Sequence, residues 1–342
     1  MAAVVSCALA LLGGVVGAGF ASGRELVRFF ASHGAMAGAA IVCALFTLYA
    51  LFLRICSQME RAGCASLAAL CRARLGRRMG MLCTALFFAL CAVTGGAMLA
   101  ACAELGALVL PVRHAYAVTL ALTLAVSLPL CARGLSGLAL PGALLVLLLP
   151  ALLLRLLALP VGEACFLPAM TPDLPVRAAA DGAAYGALNA AMLAGMLPLL
   201  LGLSRASRRR AVRLFTLLFA ALLIPGVLVC RRQLPAIARQ PLPFVYLSRA
   251  LGGGYLLIAA CMYTAALSTL LGMLSGMALL LPASLSPRMR TALGGAVCLL
   301  CSLVGFTPLV HSGYPVLGAL CMALLLLLCL PDDLFPRAAP AY

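Results

Sequence analysis

The chain has 342 residues, of which 65% are hydrophobic and 9% charged, and its mean hydropathy is +1.19. A soluble domain carries about a quarter of its residues as charges, so this composition excludes that class and indicates a polytopic membrane protein. The net charge of +16 rests on 24 basic residues, all arginine, gathered between apolar runs; that placement carries topology and predicts no nucleic-acid partner.

A span takes about 20 apolar residues. The apolar runs fall at 2–31 (interrupted near 17–22), 36–56, 80–110, 115–132, 137–159, 182–203, 211–230, 252–281, 291–309 and 313–330, which predicts ten spans with little left for a soluble domain. No positive charge precedes the first run, and no cleavage site followed by a soluble domain appears, so it reads as a span and not a signal peptide.

Within that first run, residues 13–23 read Gly-Gly-Val-Val-Gly-Ala-Gly-Phe-Ala-Ser-Gly. Glycine is costly inside a helix, and backbone released from a helix is tolerated in lipid only where protein or a polar cavity satisfies it. The segment therefore predicts a mid-membrane break lining a solute site. Gly13-xxx-Gly17 and Gly19-xxx-Gly23 also fit the small-xxx-small spacing by which two continuous helices pack closely, and that reading stands beside the first.

With the N-terminus inside, the connectors place fifteen arginines in the cytoplasm and nine outside, which predicts both termini inside. The inner set includes Arg54, Arg61, Arg72, Arg74, Arg77, Arg78, Arg205, Arg208, Arg209, Arg210 and Arg213. Two outward connectors are longer: 160–181, with Glu163, Asp173, Arg177 and Asp181, and 231–251, with Arg231, Arg232, Arg239 and Arg249.

Ten spans divide into five and five, and a half with an odd number of spans inserts upside down relative to its twin. With halves at 1–159 and 182–330, the partner of the interrupted first span is the sixth, which holds Gly182, Gly186, Gly195 and Pro198 together with a mid-membrane Asn189. Two irregular spans in corresponding places are the best sequence pointer to a transport site.

The run Gly17-Ala-Gly-Phe-Ala-Ser-Gly23 followed by Arg24-Glu25-Leu26 closely resembles the G-A-G-F-A-S-G-x-E-[IL] signature of the YkvI-like bacterial membrane proteins, a branch of the amino acid–polyamine–organocation transporter superfamily. Gly95-Gly96-Ala97 with Glu104 and Gly106 looks like that family's third span, Tyr185 and Asn189 its sixth, and Tyr263-Thr264 its eighth. The resemblance implies an all-α LeuT-type fold of ten core helices in a bacterial cell membrane, a 5+5 inverted repeat with helices 1 and 6 discontinuous. The chain departs from the expected pattern at Ala265, where a second hydroxyl would follow Thr264.

In such a fold the free N–H groups after the break suit a carboxylate. Gly17, Ala18, Gly19, Ala21, Ser22 and Gly23 would let a small solute approach the backbone, Phe20 would supply a wall or lid, and Asn189 and Tyr185 would meet the solute from span six, the readings beside these being an interhelical hydrogen bond for Asn189 and packing for Tyr185. Thr264 and Ser268 share a helical face and could complete a Na⁺ shell with carbonyls near Val16 and Gly19; equally, such hydroxyls bond back to their own helix or across to a neighbour. Glu104, the acid placed well within a span and near the outer end of the third helix, offers proton coupling, an ion pair with Arg24 or Arg28 that acts as an outer gate, or simple exposure at the interface. Arg24 is set against an outer end of span ten that carries His311, Ser312 and Tyr314.

The three histidines fall at different helix ends and no nucleophile sits with a base, so neither an enzyme nor a metal cluster is predicted. The sixteen cysteines read as small buried apolar residues. The leading reading is a secondary transporter for an amino acid or related small organic solute, coupled to Na⁺ or H⁺, with no other cofactor. The alternative is a non-transporting receptor or assembly subunit on the same fold, as in germinant receptors.

Overall fold

The computed structural model describes residues 1–110, 112–160, 175–240, 242–249, 254–309 and 314–331. Glu163, Asp173, His311 and Ser312 lie outside the described residues.

The first span is built from three pieces: α1 (Ala2–Val15), α2 (Ala18–Ala21) and α3 (Arg24–Phe29). Val16 (φ −80°, ψ 81°) forms an inverse γ-turn in which Gly17 N–H donates to the Val15 carbonyl at 2.9 Å. Gly17 is extended, and Gly23 at φ +83° makes the left-handed turn that redirects the chain into α3. The break therefore sits at Val16–Gly17, with a second corner at Gly23, instead of spreading evenly over 17–22.

A 3₁₀ turn (Ala31–Met36) leads into α4 (Ala37–Arg61). The third span belongs to a longer helix, α5 (Leu67–Val109), capped by Ser66 and kinked at Gly76 (φ +75°), so the Arg-rich segment before residue 80 is helical as well. α6 (Ala115–Ala132) and α7 (Leu135–Leu157) complete the first half.

The sixth span begins earlier than its apolar pattern indicates. It runs as α8 (Pro175–Leu193), a 3₁₀ turn (Ala194–Met196) and α9 (Pro198–Leu201), with Pro198 at the first position of the last piece. α10 (Arg205–Arg232) follows, then two short helices, α11 (Leu234–Ile237) and α12 (Pro243–Ser248), inside what reads in sequence as a connector. The chain continues as α13 (Gly254–Leu280), α14 (Pro287–Ser302), α15 (Phe306–Pro308) and α16 (Tyr314–Leu328). The ninth span ends at Ser302, short of 309, because Gly305 (φ +90°) turns the chain.

Among the described residues six helical stretches are long and apolar enough to cross a membrane, namely 31–61, 67–109, 115–132, 135–157, 205–232 and 255–280. The chain is a multi-pass membrane protein. Spans one and six are both discontinuous, and the packing is reciprocal between the halves. α1 packs on α7 and α10 while α8 packs on α16 and α4, α5 meets α16 while α13 meets α7, and α5 and α13 cross at the centre.

Lipid is as apolar as a leucine side chain, so these helices hold together by close packing. A methyl group on Gly182 or Gly186 of α8 would strike the carbonyls of Ala40 and Ala44 on α4, and one on Gly142 of α7 would strike the Leu9 carbonyl of α1. The pair Cys298-x-x-Cys301 packs where Gly95 and Gly96 leave room on α5, and most described cysteines are buried. Several arginines assigned to the inner connectors secure helix ends. Arg74 Nη1 donates to the carbonyls of Leu328 (2.7 Å) and Leu330 (2.9 Å), and Arg54 Nε to that of Cys329 (2.9 Å), at the end of α16. Arg208 pairs with Glu60 at 2.6 Å, tying α10 to α4.

The backbone contact at Gly186 predicts that Gly186→Val costs about 1–3 kcal/mol of stability through overpacking and lowers the thermal unfolding midpoint. Gly38→Val on α4, where a Cβ meets nothing within 4 Å, should leave the midpoint nearly unchanged. Equal effects would contradict the tight α4–α8 seam.

Candidate functional site

The first break and the end of α8, just before the second break, border one cavity of about 630 Å³ with the open space at its mouth counted. Val15, Gly17, Ala18, Gly19 and Ser22 line it from the first span, and Asn189 and Met192 from the last turn of α8. Thr94, Ala97 and Met98 of α5 and Thr269 of α13 form another wall, and Arg24, Glu25, Leu242 and Phe306 complete the lining. Of the residues singled out in the sequence, Gly17, Ala18, Gly19, Ser22, Arg24 and Asn189 thus meet at one place.

Phe20, Ala21 and Gly23 do not. Phe20 is fully buried against Phe219, ring centroids 5.6 Å apart, so it is core packing and not a lid. Ala21 is likewise fully buried. Gly23 supports the site indirectly, because the Phe244 ring of α12 covers it and Phe244 N–H donates to the Ser22 carbonyl at 2.8 Å. The segment before α13 therefore pins the Gly23 side of the break.

Tyr185 acts at one remove. It is 1% exposed, its ring lies 5.1 Å from those of Phe29 and Phe30, and its hydroxyl donates to Glu25 Oε2 at 3.1 Å. Asn189 Nδ2 donates to the Tyr185 carbonyl at 2.9 Å.

The acid at the site is Glu25, not Glu104. Glu25 is partly buried on α3 and reaches back over the break, where a methyl group on Gly19 would strike its Oε1. Glu104 is exposed near the end of α5 and does not line the cavity, and among the described residues no ion pair joins it to Arg24 or Arg28. Glu25 was legible in one respect, since it stands two residues past Gly23 in the opening motif. Its inward direction was not, because Gly23 resets the helical phase.

The end of α1 meets α13 through Ser268 and Thr269. Ser268 Oγ lies 2.8 Å from the carbonyls of both Gly13 and Ala265, and its single proton serves one at a time; Thr269 Oγ1 donates to Gly13 at 3.2 Å. Ala265 takes part through its carbonyl, which accepts from Ser268, and offers no side-chain oxygen. Thr264 is placed elsewhere: one turn earlier in α13 it borders a separate, more open pocket with Leu105, Gly106, Thr119 and Tyr263. Val16 lies beside the junction, fully buried, and Gly19 lies at the solute cavity.

Among the described residues Thr94 is the one member of the cavity wall whose hydroxyl is buried and has no hydrogen-bond partner. Nothing in its sequence context marks it beyond standing next to Gly95.

No family model matches the chain, and no curated protein sequence does. Solved structures do. A manganese transporter variant from Eremococcus coleocola superposes with a TM-score of 0.62 at 15% identity, covering 95% of this chain and 76% of that one. A Na⁺-coupled sialic acid symporter in a substrate-bound outward-open state gives 0.62 at 13% identity, covering 95% and 78%. Mhp1, a nucleobase-cation-symport-1 family transporter, gives 0.55 at 12% identity, covering 94% and 74%. At these identities the likeness establishes architecture.

Hydrogen bonding distinguishes the two wall threonines. Thr269→Val removes a made hydrogen bond and should cost about 1 kcal/mol, read as a lower unfolding midpoint, whereas Thr94→Val removes an unpaired hydroxyl and should leave the ligand-free protein as stable or more so. A larger loss at Thr94 would contradict the assignment. The chain has the LeuT-type fold.

Proposed function

We propose that the chain is a secondary transporter that moves an amino acid or related small organic solute by alternating access, in symport with Na⁺ or H⁺. The observation that supports this reading is the shared cavity, because the two discontinuous spans, which we assign to corresponding halves 1–159 and 182–330, border one small, mostly apolar space that holds a few polar groups. Irregular backbone is tolerated at membrane depth where it lines such a space, and binding at the interface between repeats is how transporters with this architecture work. Gly17, Ala18 and Gly19 let a solute lie against the backbone, Ser22 and Asn189 offer polar contacts, and Tyr185 supports them from behind. The solved structures of similar fold include symporters for small organic solutes. The opening motif's likeness to the YkvI-like proteins agrees with a role in that superfamily.

For the coupling ion, the oxygens at the α1–α13 junction fit Na⁺. The carbonyls of Gly13 and Ala265 and the hydroxyls of Ser268 and Thr269 converge at the C-terminal end of a half-helix, where the dipole favours a cation. Ser268 and Thr269 would hold the ion, with the neighbouring Val16 carbonyl available. Thr264 has no part in this set.

Two outcomes test the reading in proteoliposomes. Gly19→Leu, which fills the cavity and displaces Glu25, should abolish uptake of labelled solute while the protein still inserts; retained uptake would contradict it. Ser268→Ala should raise the Na⁺ concentration needed for half-maximal uptake about tenfold, the effect of about 1.4 kcal/mol, and Thr264→Ala should not. The reverse ranking would remove Na⁺ from this junction.

A further inference from the structure

Apart from the exposed Arg24, which also lines the cavity, the side chains there lean toward acceptors. The Tyr185 hydroxyl is spent on Glu25, one of the two Asn189 amide hydrogens on the Tyr185 carbonyl, the Ser22 hydroxyl on the Gly19 carbonyl at 3.0 Å, and the Thr269 hydroxyl on Gly13. Beyond one remaining Asn189 N–H, what these groups offer is acceptor capacity: the Asn189 Oδ1, the lone pairs of Ser22 and Thr269, and above all the Glu25 carboxylate. Thr94, 98% buried and unpartnered, adds a hydroxyl that can accept as well as donate. Among the described residues the Glu25 carboxylate has one hydrogen-bond partner, Tyr185, and no ion pair within contact distance; the Arg28 guanidinium, one turn further along α3, acts on it only at longer range.

A carboxylate at a mostly apolar, membrane-buried site needs a positive partner, since an unpaired buried charge is strongly disfavoured. It also repels a second carboxylate placed beside it, an effect enlarged by the low local dielectric. Oε1 of Glu25 lies over Gly19, at the point where the sequence pattern alone directs an anionic solute group.

We propose that Glu25, oriented by Tyr185, is the receptor for a positively charged nitrogen on the solute, so that the site takes amines and amino acids and refuses solutes that are only anionic. Asn189 Oδ1 and Thr94 Oγ1 supply further acceptors for the N–H groups of the same ammonium. This rests on the transporter reading for its biological meaning, and it adds which end of the solute the chain grips. Tyr185 is a positioning residue, because it reaches the solute through Glu25.

The full-length chain, purified in detergent at fixed ionic strength, is assayed by thermal unfolding against two size-matched series. One is L-alanine, ethylamine and propionate; the other is L-lysine, 1,5-diaminopentane and pentanoate. A ligand of the native state raises the midpoint, so the amine-bearing members of at least one series should raise it and the carboxylate-only members should not. Glu25→Gln should weaken apparent affinity for the responding amine at least tenfold, Glu25→Asp less, and Tyr185→Phe a few-fold with partial retention. A carboxylate-only solute that stabilises as well as its amine counterpart, an unchanged response in Glu25→Gln, or no response to any amine overturns the proposal. The comparison within each series needs no variant, so a misfolded Glu25→Gln protein does not rescue or spoil it. Flux measurements separate the two levels. Amines that bind through Glu25 without crossing the membrane would leave the receptor assignment intact and remove the carrier reading, and flux of a carboxylate-only solute would do the opposite.

Discussion

A peptide group that leaves the helical ladder inside a bilayer must find its hydrogen bond within the protein, and the gap at Val16–Gly17 is where this chain meets that demand. A γ-turn uses the Gly17 N–H, Ser268 and Thr269 reach from α13 to the Gly13 carbonyl, and the α12 backbone ties down the Ser22 carbonyl beyond the gap. Three separate parts of the fold thus hold one short interruption. The cavity exists because the interruption is held open there.

What lets those parts come close enough is the distribution of small residues. The α8 glycines lie against bare carbonyls of α4, Gly142 of α7 lies against the Leu9 carbonyl of α1, and Gly195 in the second break approaches the Gly276 backbone. Each discontinuous span is therefore braced along one side by a continuous helix of the opposite or same half. Such seams gain dispersion and exclude lipid, and they lose both quickly when a side chain is inserted. The exchange of partners between halves follows from the same rule applied twice, with each half supplying a broken helix to the groove of the other.

Much of this architecture was legible in the amino-acid sequence. Hydropathy located the spans to within a few residues except at the start of the sixth and the end of the ninth, and the clustering of Gly13, Gly14, Gly17, Gly19 and Gly23, echoed by Gly195 and Pro198, pointed to both interruptions. The facing of individual side chains was not legible. Helical counting works only along an unbroken helix, and the corners at Val16 and Gly23 each reset the phase. Phe20 therefore turned out to face Phe219, and Glu25, two residues past a corner, turned inward. Thr264 and Ser268 do share a face of α13, yet α1 ends at the level of Ser268, so only the inner residue of that pair meets it. Glu104 attracted attention because it interrupts an apolar run, but the run ends near Val109 and leaves it exposed.

The most direct measurement of the central claim is hydrogen exchange of the backbone amides in a lipid nanodisc, read at single-residue resolution across the first span. Amides of Ala18, Gly19 and Phe20, which follow the break and border or adjoin the cavity, should exchange orders of magnitude faster than those of Leu11 and Leu12 in α1 or Leu145 and Leu149 in α7. Uniform protection from Leu11 through Leu26 would mean an unbroken helix, and the cavity would lose its origin.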